Sequence, residues 1–196
     1  MNDKVLFPLF SKPVFKAPVE IGNLDMSKVQ WTKNYQNWIS TDQYIIQQPE
    51  FAELSKSVFD NVCEYFYGIM QANPDVEIYI TESWLNKTEK GQSHHRHWHP
   101  NSILSGVVYL DGVGDTGKIK LITSQYETME YDILDSNLYN SRSWSMEPTI
   151  GTMVLFPSNV EHMVEPYDGE KPRISLAFNT FIRGKINKMP LTRLSI

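Results

Sequence analysis

The stretch His97–Leu110, HWHPNSILSGVVYL, joins a pair of histidines to a regular strand pattern. In an extended strand, residues i and i+2 point to the same side, so His97 and His99 can share one volume while Trp98 points away. Pro100 ends a strand directly after His99, because proline cannot donate to a sheet ladder. The pattern therefore predicts that His97 and His99 lie at the end of a strand, where a barrel opens.

The histidines just before this stretch leave an alternative. His95 and His97 are also two residues apart. Spacing alone therefore does not choose between this pair and the pair of His97 and His99. The break at Pro100 favours the pair of His97 and His99. We therefore expect His94 and His95 in the approach loop, either exposed or behind the functional pair.

Residues 76–184 repeat the strand pattern. The segments SILSGVVYL, GKIKLIT, GTMVLFPS and RISLAFNTFI are rich in aliphatic and aromatic residues, and each is bounded by Gly, Pro, Asn or Asp. Several short strands that follow one helix predict a mostly β fold with a flanking helix. The strands are expected to close as a jelly-roll sandwich or barrel.

The chain before these strands contains two further units. Residues 1–48 hold short extended pieces broken by prolines, which predicts an irregular arm or an edge strand. Residues 49–71 carry apolar side chains at every third or fourth position and predict one amphipathic helix. Because no linker or repeat divides the sequence, we expect residues 1–196 to form a single domain whose jelly-roll core spans 76–184.

Composition excludes several classes of function. The chain has 196 residues, 41% of them hydrophobic, and a net charge of −5, which argues against a nucleic-acid partner. No apolar run is long enough for a membrane span, so no membrane partner is expected. The single cysteine indicates a reducing compartment and hence a cytoplasmic protein. The composition is compatible with a homo-oligomer but does not predict one.

A metal ion bound by two histidines needs a further ligand, and His162 is the last of the five histidines. It follows the strand and turn pattern of GTMVLFPSNVEH, which predicts a position at the end of a second strand. Three imidazoles on one barrel rim would suit Zn, Fe or Cu. The residues alone also allow a surface or hydrogen-bonded histidine pair without a metal.

The segment Arg173–Asn179, RISLAFN, predicts a strand with two different faces. Alternation places Arg173 and Ser175 on one face and the large apolar residues on the other. If the polar face points into the barrel, Arg173 needs an anionic partner, because a buried unpaired charge is costly. A carboxylate held by Arg173 and Ser175 would satisfy it. If that face points outward, Arg173 is an ordinary surface residue.

These residues together resemble a known enzyme family. His97-x-His99, a distant His162 and then Arg173-x-Ser175 resemble the iron- and 2-oxoglutarate-dependent dioxygenases. The segments HWHPNSILSGVVYL and LFPSNVEHMVEPYDGEKPRISLAFN are more closely similar to a bacterial and phage subfamily of 2OG-Fe(II) oxygenases with an H-x-H-P-x-S-x-x-S-G motif.

The resemblance implies a double-stranded β-helix and a set of site residues. Fe(II) would be held by the catalytic ligands His97, His99 and His162, and 2-oxoglutarate would bind Arg173 and Ser175 through its far carboxylate. Tyr109 would assist the cosubstrate, and Asn101 and Asn179 would support the site. The implied reaction uses O₂, hydroxylates an unidentified primary substrate and releases succinate and CO₂.

One departure from the broad family leaves alternatives open. That family has a carboxylate where this chain has His99; Asp111 and Asp115 could replace it, although YLDGVGDTG suits a hairpin loop better. Three neutral ligands also suit a cupin-like dioxygenase that works without 2-oxoglutarate. A third alternative is a jelly-roll module that binds a metal without catalysis.

Overall fold

The computed structural model describes residues 4–112, 116–123, 131–187, 189 and 191–196. Within these ranges the chain forms one α-helix and twelve strands. Their bounds are β1 Phe15–Pro18, β2 Trp31–Asn34, β3 Asn37–Ser40, α1 Ala52–Cys63, β4 Val76–Thr88, β5 His94–His97, β6 Leu104–Asp111, β7 Ile119–Ile122, β8 Ser143–Met146, β9 Thr152–Pro157, β10 Glu161–Val164, β11 Arg173–Ile186 and β12 Leu194–Ser195.

The strands form two antiparallel sheets. The larger sheet has the order β1-β9-β6-β11-β4-β3-β2, with β12 paired to β11, and the smaller sheet has the order β5-β10-β7-β8. From β4 to β11 the chain passes from one sheet to the other at every step except β7 to β8. This is the path of an eight-stranded jelly roll. The predicted fold class, mostly β with a flanking helix and a double-stranded β-helix, is confirmed.

Residues 4–48 are more regular than an irregular arm would be. β1 pairs with β9 at one edge of the larger sheet, and the hairpin of β2 and β3 extends the opposite edge. β3 joins β4 through the pairs Trp38 with Lys87 and Ile39 with Asn86. The edge-strand alternative describes this segment better, because Pro8 and Pro13 precede β1 and Pro18 is the last residue of β1, at the edge of the sheet.

The helical stretch packs on the outer face of the larger sheet. It begins with a 3₁₀ turn at Pro49–Phe51, continues as α1 and ends in a π-helical turn at Glu64–Ile69, two residues before the expected end. Leu54 and Val58 are fully buried against the sheet. This agrees with the amphipathic stripe in the sequence. Among the described residues no helix is long and apolar enough to cross a membrane.

Side chains that alternate along the strands contribute to two apolar layers. In β6, Val108 joins the layer under α1, whereas its neighbour Tyr109 joins a layer between the sheets. In β9, Leu155 joins the first layer and Phe156 the second. Successive side chains of a strand point to opposite faces, so one set of strands holds the helix outside and shapes the interior of the jelly roll.

Gly106 marks a close contact between two central strands and gives a test of this packing. It lies opposite Phe178 in the β6–β11 pair, and a Cβ at this position would lie 2.3 Å from Phe178 Cζ. We expect Gly106→Ala to lower the free energy of unfolding by about 1–3 kcal/mol, because the buried ring must shift. Chemical denaturation measures this change.

The matched control is Gly68→Ala in the helical stretch, where the nearest atom would be 3.9 Å away. No loss of stability is expected there, because alanine favours a helix more than glycine does. Adding Phe178→Leu to Gly106→Ala should recover part of the lost stability. Equal stability of the wild type and Gly106→Ala would contradict the packing described.

Candidate active site

Two of the sequence-predicted residues face each other on neighbouring strands of the smaller sheet. His97 of β5 pairs with His162 of β10, and His94 pairs with Val164. The two residues between His94 and His97 therefore lie opposite a single residue of β10, which is a β-bulge. As a result, His94 and His97 line the same cavity.

The local structure corrects three expectations. β5 begins at His94, so the prediction that His94 and His95 lie in the approach loop is wrong. His99 lies beyond the end of β5, where its backbone N–H donates to the Ser158 carbonyl over 3.0 Å. His162 is the second residue of β10 rather than the end of a strand. The register of a bulged pair depends on the partner strand, which local spacing does not reveal.

The structure brings His97, His99 and His162, here called the histidine triad, into one cluster. One ring nitrogen from each lies within 4.8 Å of the other two. The Nε2 atoms of His97 and His99 are 3.2 Å apart, and the ring centroids of His97 and His162 are 4.2 Å apart. This arrangement could hold one metal ion.

The other nitrogen of each ring is already engaged. Each Nδ1 lies within hydrogen-bonding distance of an oxygen: His97 of the His95 carbonyl (2.8 Å), His162 of the Val160 carbonyl (3.1 Å) and His99 of Asn179 Oδ1 (2.5 Å). Carbonyl oxygens only accept, so each Nδ1 carries the hydrogen and each Nε2 keeps its lone pair. Three Nε2 lone pairs directed at one volume are the donor set that a metal ion requires.

Burial sets the charge of these rings. It lowers the pKa of all three histidines, and that of His162 falls to about 3. Around His162 the neighbouring His97 adds to the effect. The triad is therefore neutral at pH 7, which is the form in which imidazole binds a metal.

Aromatic rings border the triad on two sides. The ring of Phe156 packs edge-on against His162 at 4.8 Å, and Trp84 lies 5.9 Å from the ring of His99. Phe156 is buried in the layer between the sheets. These contacts restrict the imidazole rings and exclude water from one side of the cluster.

Arg173 lies in the same cavity as the triad, and its side chain is incompletely paired. It is 3% exposed, and its guanidinium contacts the Gly117 carbonyl and, at 3.5 Å, the Thr88 hydroxyl. Its Nε has no hydrogen-bond partner. In the part of the chain that the structure describes, no carboxylate lies within ion-pair distance of it. A buried cation in this state favours an anionic ligand.

The predicted faces of the strand that carries Arg173 are confirmed. Arg173 and Ser175 line the cavity, while Leu176 and Phe178 belong to the layer under α1. Ser175 pairs across the sheet with Tyr109, which also lines the cavity. Burial raises the pKa of Tyr109 to about 12, so its phenol stays protonated and can donate a hydrogen bond.

The cavity that these residues share is narrow and has a wider neighbour. Its volume is about 80 Å³, and the triad and Arg173 both line it. A second cavity of about 360 Å³ also reaches His97 and His99 and is lined by Trp84, Trp98 and Glu82 together with residues of the β2–β3 hairpin. His97 and His99 therefore line both cavities, whereas His162 lines the narrow one.

The other candidate residues differ in their placement. Asn179 contacts His99 directly, whereas Asn101 is exposed and has a positive φ of 57° in the turn after β5. Asp111 is exposed and accepts from the Gly112 N–H, so it does not join the triad. Asp115 lies outside the described residues.

Sequence reasoning missed several polar residues that support the site. Ser105 is fully buried and contacts both His99 and Asn179, and Ser158 contacts Ser105 at 2.8 Å. Glu82 accepts a hydrogen bond from Asn179. The signal for Ser105 was present in the H-x-H-P-x-S-x-x-S-G motif, where it is the second serine. Nothing local in the sequence marks Glu82.

Comparison with known proteins places this arrangement in a family. A family model described as "Putative 2OG-Fe(II) oxygenase" matches residues 82–179, which is half of the chain. The match contains the triad, Arg173 and Ser175. No curated protein matches the sequence significantly.

Solved structures share the fold at low sequence identity. An oxidoreductase of the 2OG-Fe(II) oxygenase family from Burkholderia pseudomallei is 15% identical, with a TM-score of 0.55 over 79% of this chain and 73% of that chain. HygX from Streptomyces hygroscopicus, solved with nickel, 2-oxoglutarate and hygromycin B, is 10% identical, with a TM-score of 0.57 over 86% and 82%. A prolyl-4-hydroxylase from Pseudomonas putida is 18% identical, with a TM-score of 0.52 over 81% and 79%.

At these identities the structural likeness concerns the fold, and the family match concerns the chain itself. The chain belongs to the 2OG-Fe(II) oxygenase family, and it is an oxidoreductase whose cofactors are Fe(II) and 2-oxoglutarate.

Proposed function

We propose that the protein is an iron- and 2-oxoglutarate-dependent dioxygenase that hydroxylates an unidentified primary substrate. The observation that carries the proposal is the shared cavity of the triad and the incompletely paired Arg173. With both cofactors bound, the chemistry supplied is the insertion of one atom of O₂ into the substrate and of the other into succinate, as CO₂ leaves.

In this proposal the triad holds the iron through Nε2 of His97, His99 and His162. Their Nδ1–H bonds to the oxygens of neighbouring groups fix the ring orientations before the metal arrives. Because all three ligands are neutral, they leave the metal its full charge of +2. That charge favours a cosubstrate that binds as an anion.

Arg173 and Ser175 bind the far carboxylate of 2-oxoglutarate in this proposal, and Tyr109 assists as a hydrogen-bond donor. The unpartnered Nε of Arg173 and the buried hydroxyl of Ser175 support this assignment. A guanidinium at the bottom of a cavity recognises a carboxylate by charge and by paired hydrogen bonds. It also sets how deep the cosubstrate lies relative to the triad.

We assign the primary substrate to the cavity lined by Trp84, Trp98 and Glu82. This cavity is lined by His97 and His99 but not by Arg173, and Trp98 is 56% exposed at its border. Apart from the histidines, Glu82 is the only ionisable side chain among its described lining residues. Large aromatic side chains at a half-open groove offer apolar area for a ligand at low cost in side-chain entropy.

The role of Arg173 is tested by binding of the cosubstrate in the absence of O₂. The wild type with Fe(II) should develop the weak visible charge-transfer band of the chelated cosubstrate when 2-oxoglutarate is added. We expect Arg173→Ala to weaken 2-oxoglutarate binding about 10- to 100-fold, because a hydrogen-bonded charge partner is lost. A titration followed by the band measures this affinity.

Arg183→Ala is the matched control for this titration. Arg183 lies on the same strand, but it pairs with Glu77 at the surface, and its loss should leave the titration unchanged. A wild type that binds Fe(II) but develops no band would contradict the proposal and favour a three-histidine dioxygenase that works without 2-oxoglutarate.

Removal of single histidines tests the ligand set. We expect His162→Ala to lose stoichiometric Fe(II), because His162 is a buried member of the triad, whereas His95→Ala should keep it because His95 is exposed. Iron content after anaerobic loading and desalting gives the result. Retention of iron by His162→Ala at the wild-type level would refute the assigned ligand set.

A further inference from the structure

A row of polar side chains crosses the larger sheet beside the triad. Asn179 of β11 pairs with Glu82 of β4 on one side and with Ser105 of β6 on the other. Residues directly opposite each other on neighbouring strands point to the same face. All three side chains therefore point to the face of the sheet that carries Arg173 and Ser175.

Hydrogen bonds connect this row to His99. Asn179 Nδ2 donates to Glu82 Oε1 over 2.9 Å, and His99 Nδ1 lies 2.5 Å from Asn179 Oδ1. The carboxylate only accepts, which fixes the amide so that its NH₂ group faces Glu82 and its oxygen faces His99. Ser105 donates to the same oxygen over 2.7 Å. A carboxylate is thus linked to a triad ring through one amide group.

The backbone holds this link in place. The β4–β11 pairing shifts at this point, so that Asn179 faces Glu82, Thr180 faces Ile80 and Thr81 is the extra residue. The Thr81 hydroxyl donates to the Asn179 carbonyl over 3.2 Å. Asn179 is 6% exposed and Ser105 is fully buried. Bulges of this kind commonly adjust the aim of a side chain next to an active site.

The link is specific to one member of the triad. His97 and His162 donate to backbone carbonyls of neighbouring residues. His99 stands where the broad family has a carboxylate, and among these three rings it is the one joined to a charged group. Burial lowers the pKa of His99, while the bond to Asn179 and the charge of Glu82 both act in the opposite direction.

We propose that Glu82, acting through Asn179, supplies at one remove the negative charge that the ligand set lacks. Glu82 and Asn179 are positioning residues in this scheme: they polarise the Nδ1–H bond of His99 and make its Nε2 a stronger donor to a divalent cation. The inference rests on the proposed metal site. It adds to that site a carboxylate and an amide that do not touch the metal.

Simple proximity of Glu82 to a cation is the competing explanation. A carboxylate near a dication attracts it through space, whatever lies between them. The two explanations differ for Asn179. If the amide transmits the effect, removal of Asn179 should cost as much as removal of the charge. If attraction acts only through space, Asn179 should matter little.

The experiment is a double-mutant cycle on Co(II) affinity, measured by anaerobic competition with a chromophoric chelator and by the Co(II) absorption bands. The variants are Glu82→Gln, Asn179→Ala and their combination. We expect each single variant to bind Co(II) about ten-fold more weakly than the wild type, as is typical for groups that orient a metal ligand. The double variant should be no weaker than either single one, because both remove the same interaction.

A variant that moves the carboxylate from position 82 to position 179 provides a second test if Asn179→Ala does not fold. In Glu82→Gln/Asn179→Asp, the carboxylate accepts directly from His99 and the new amide donates to it. Co(II) affinity should return to the wild-type level or exceed it. Glu77→Gln, on the same strand but paired with Arg183 at the surface, is the charge control and should bind as the wild type does.

The outcomes separate the two proposals. Three results would overturn the proposed effect of Glu82 through Asn179 without contradicting the metal site. They are unchanged Co(II) affinity in Glu82→Gln, additive losses in the double variant, or no recovery of affinity in folded Glu82→Gln/Asn179→Asp. Failure of the wild type to bind Co(II) would overturn both the metal site and the proposed effect of Glu82 through Asn179. Circular dichroism and the thermal midpoint establish that each variant is folded.

Discussion

The pairing of β11 with β4 on one side and β6 on the other is the constraint on which the site depends. It places Arg173, Ser175 and Asn179 on the same face of one strand, the face that points into the jelly roll. The same pairing directs Leu176 and Phe178 into the layer under α1. A slip of one residue would exchange the two faces and bury the charge in the apolar layer. Apolar packing on the outer face therefore fixes the polar arrangement on the inner one.

Features that depend on the alternation of side chains along one strand could be predicted from the sequence. Features that depend on pairing with another strand could not. The alternation of Arg173 and Ser175 with large apolar residues is visible in seven letters, and the structure has the same two faces. The bulge in β5 is not visible in this way, because it is defined by the residues of β10 that lie opposite. Because of that pairing, β5 ends at His97, and His99 lies beyond the end of the strand.

The supporting residues illustrate the same limit over a longer distance. Glu82 and Asn179 are 97 positions apart, and only the register of β4 against β11 makes them neighbours. Ser105 was marked by the motif, but its function depends on a second strand as well. Gly106, which follows it, is explained by the ring of Phe178 that lies across the strand pair. The motif letters thus describe both the site and the packing behind it.

The β2–β3 hairpin borders the wider cavity, although it lies outside the eight strands of the jelly roll. Its connection to the barrel is short, with two residue pairs between β3 and β4. Sequence drift in this hairpin can therefore reshape the entrance while the histidines and Arg173 stay as they are. On the proposal that the substrate binds there, related proteins can come to act on different molecules with the same histidine triad, and the natural place to look for that divergence is a segment about sixty residues before His97.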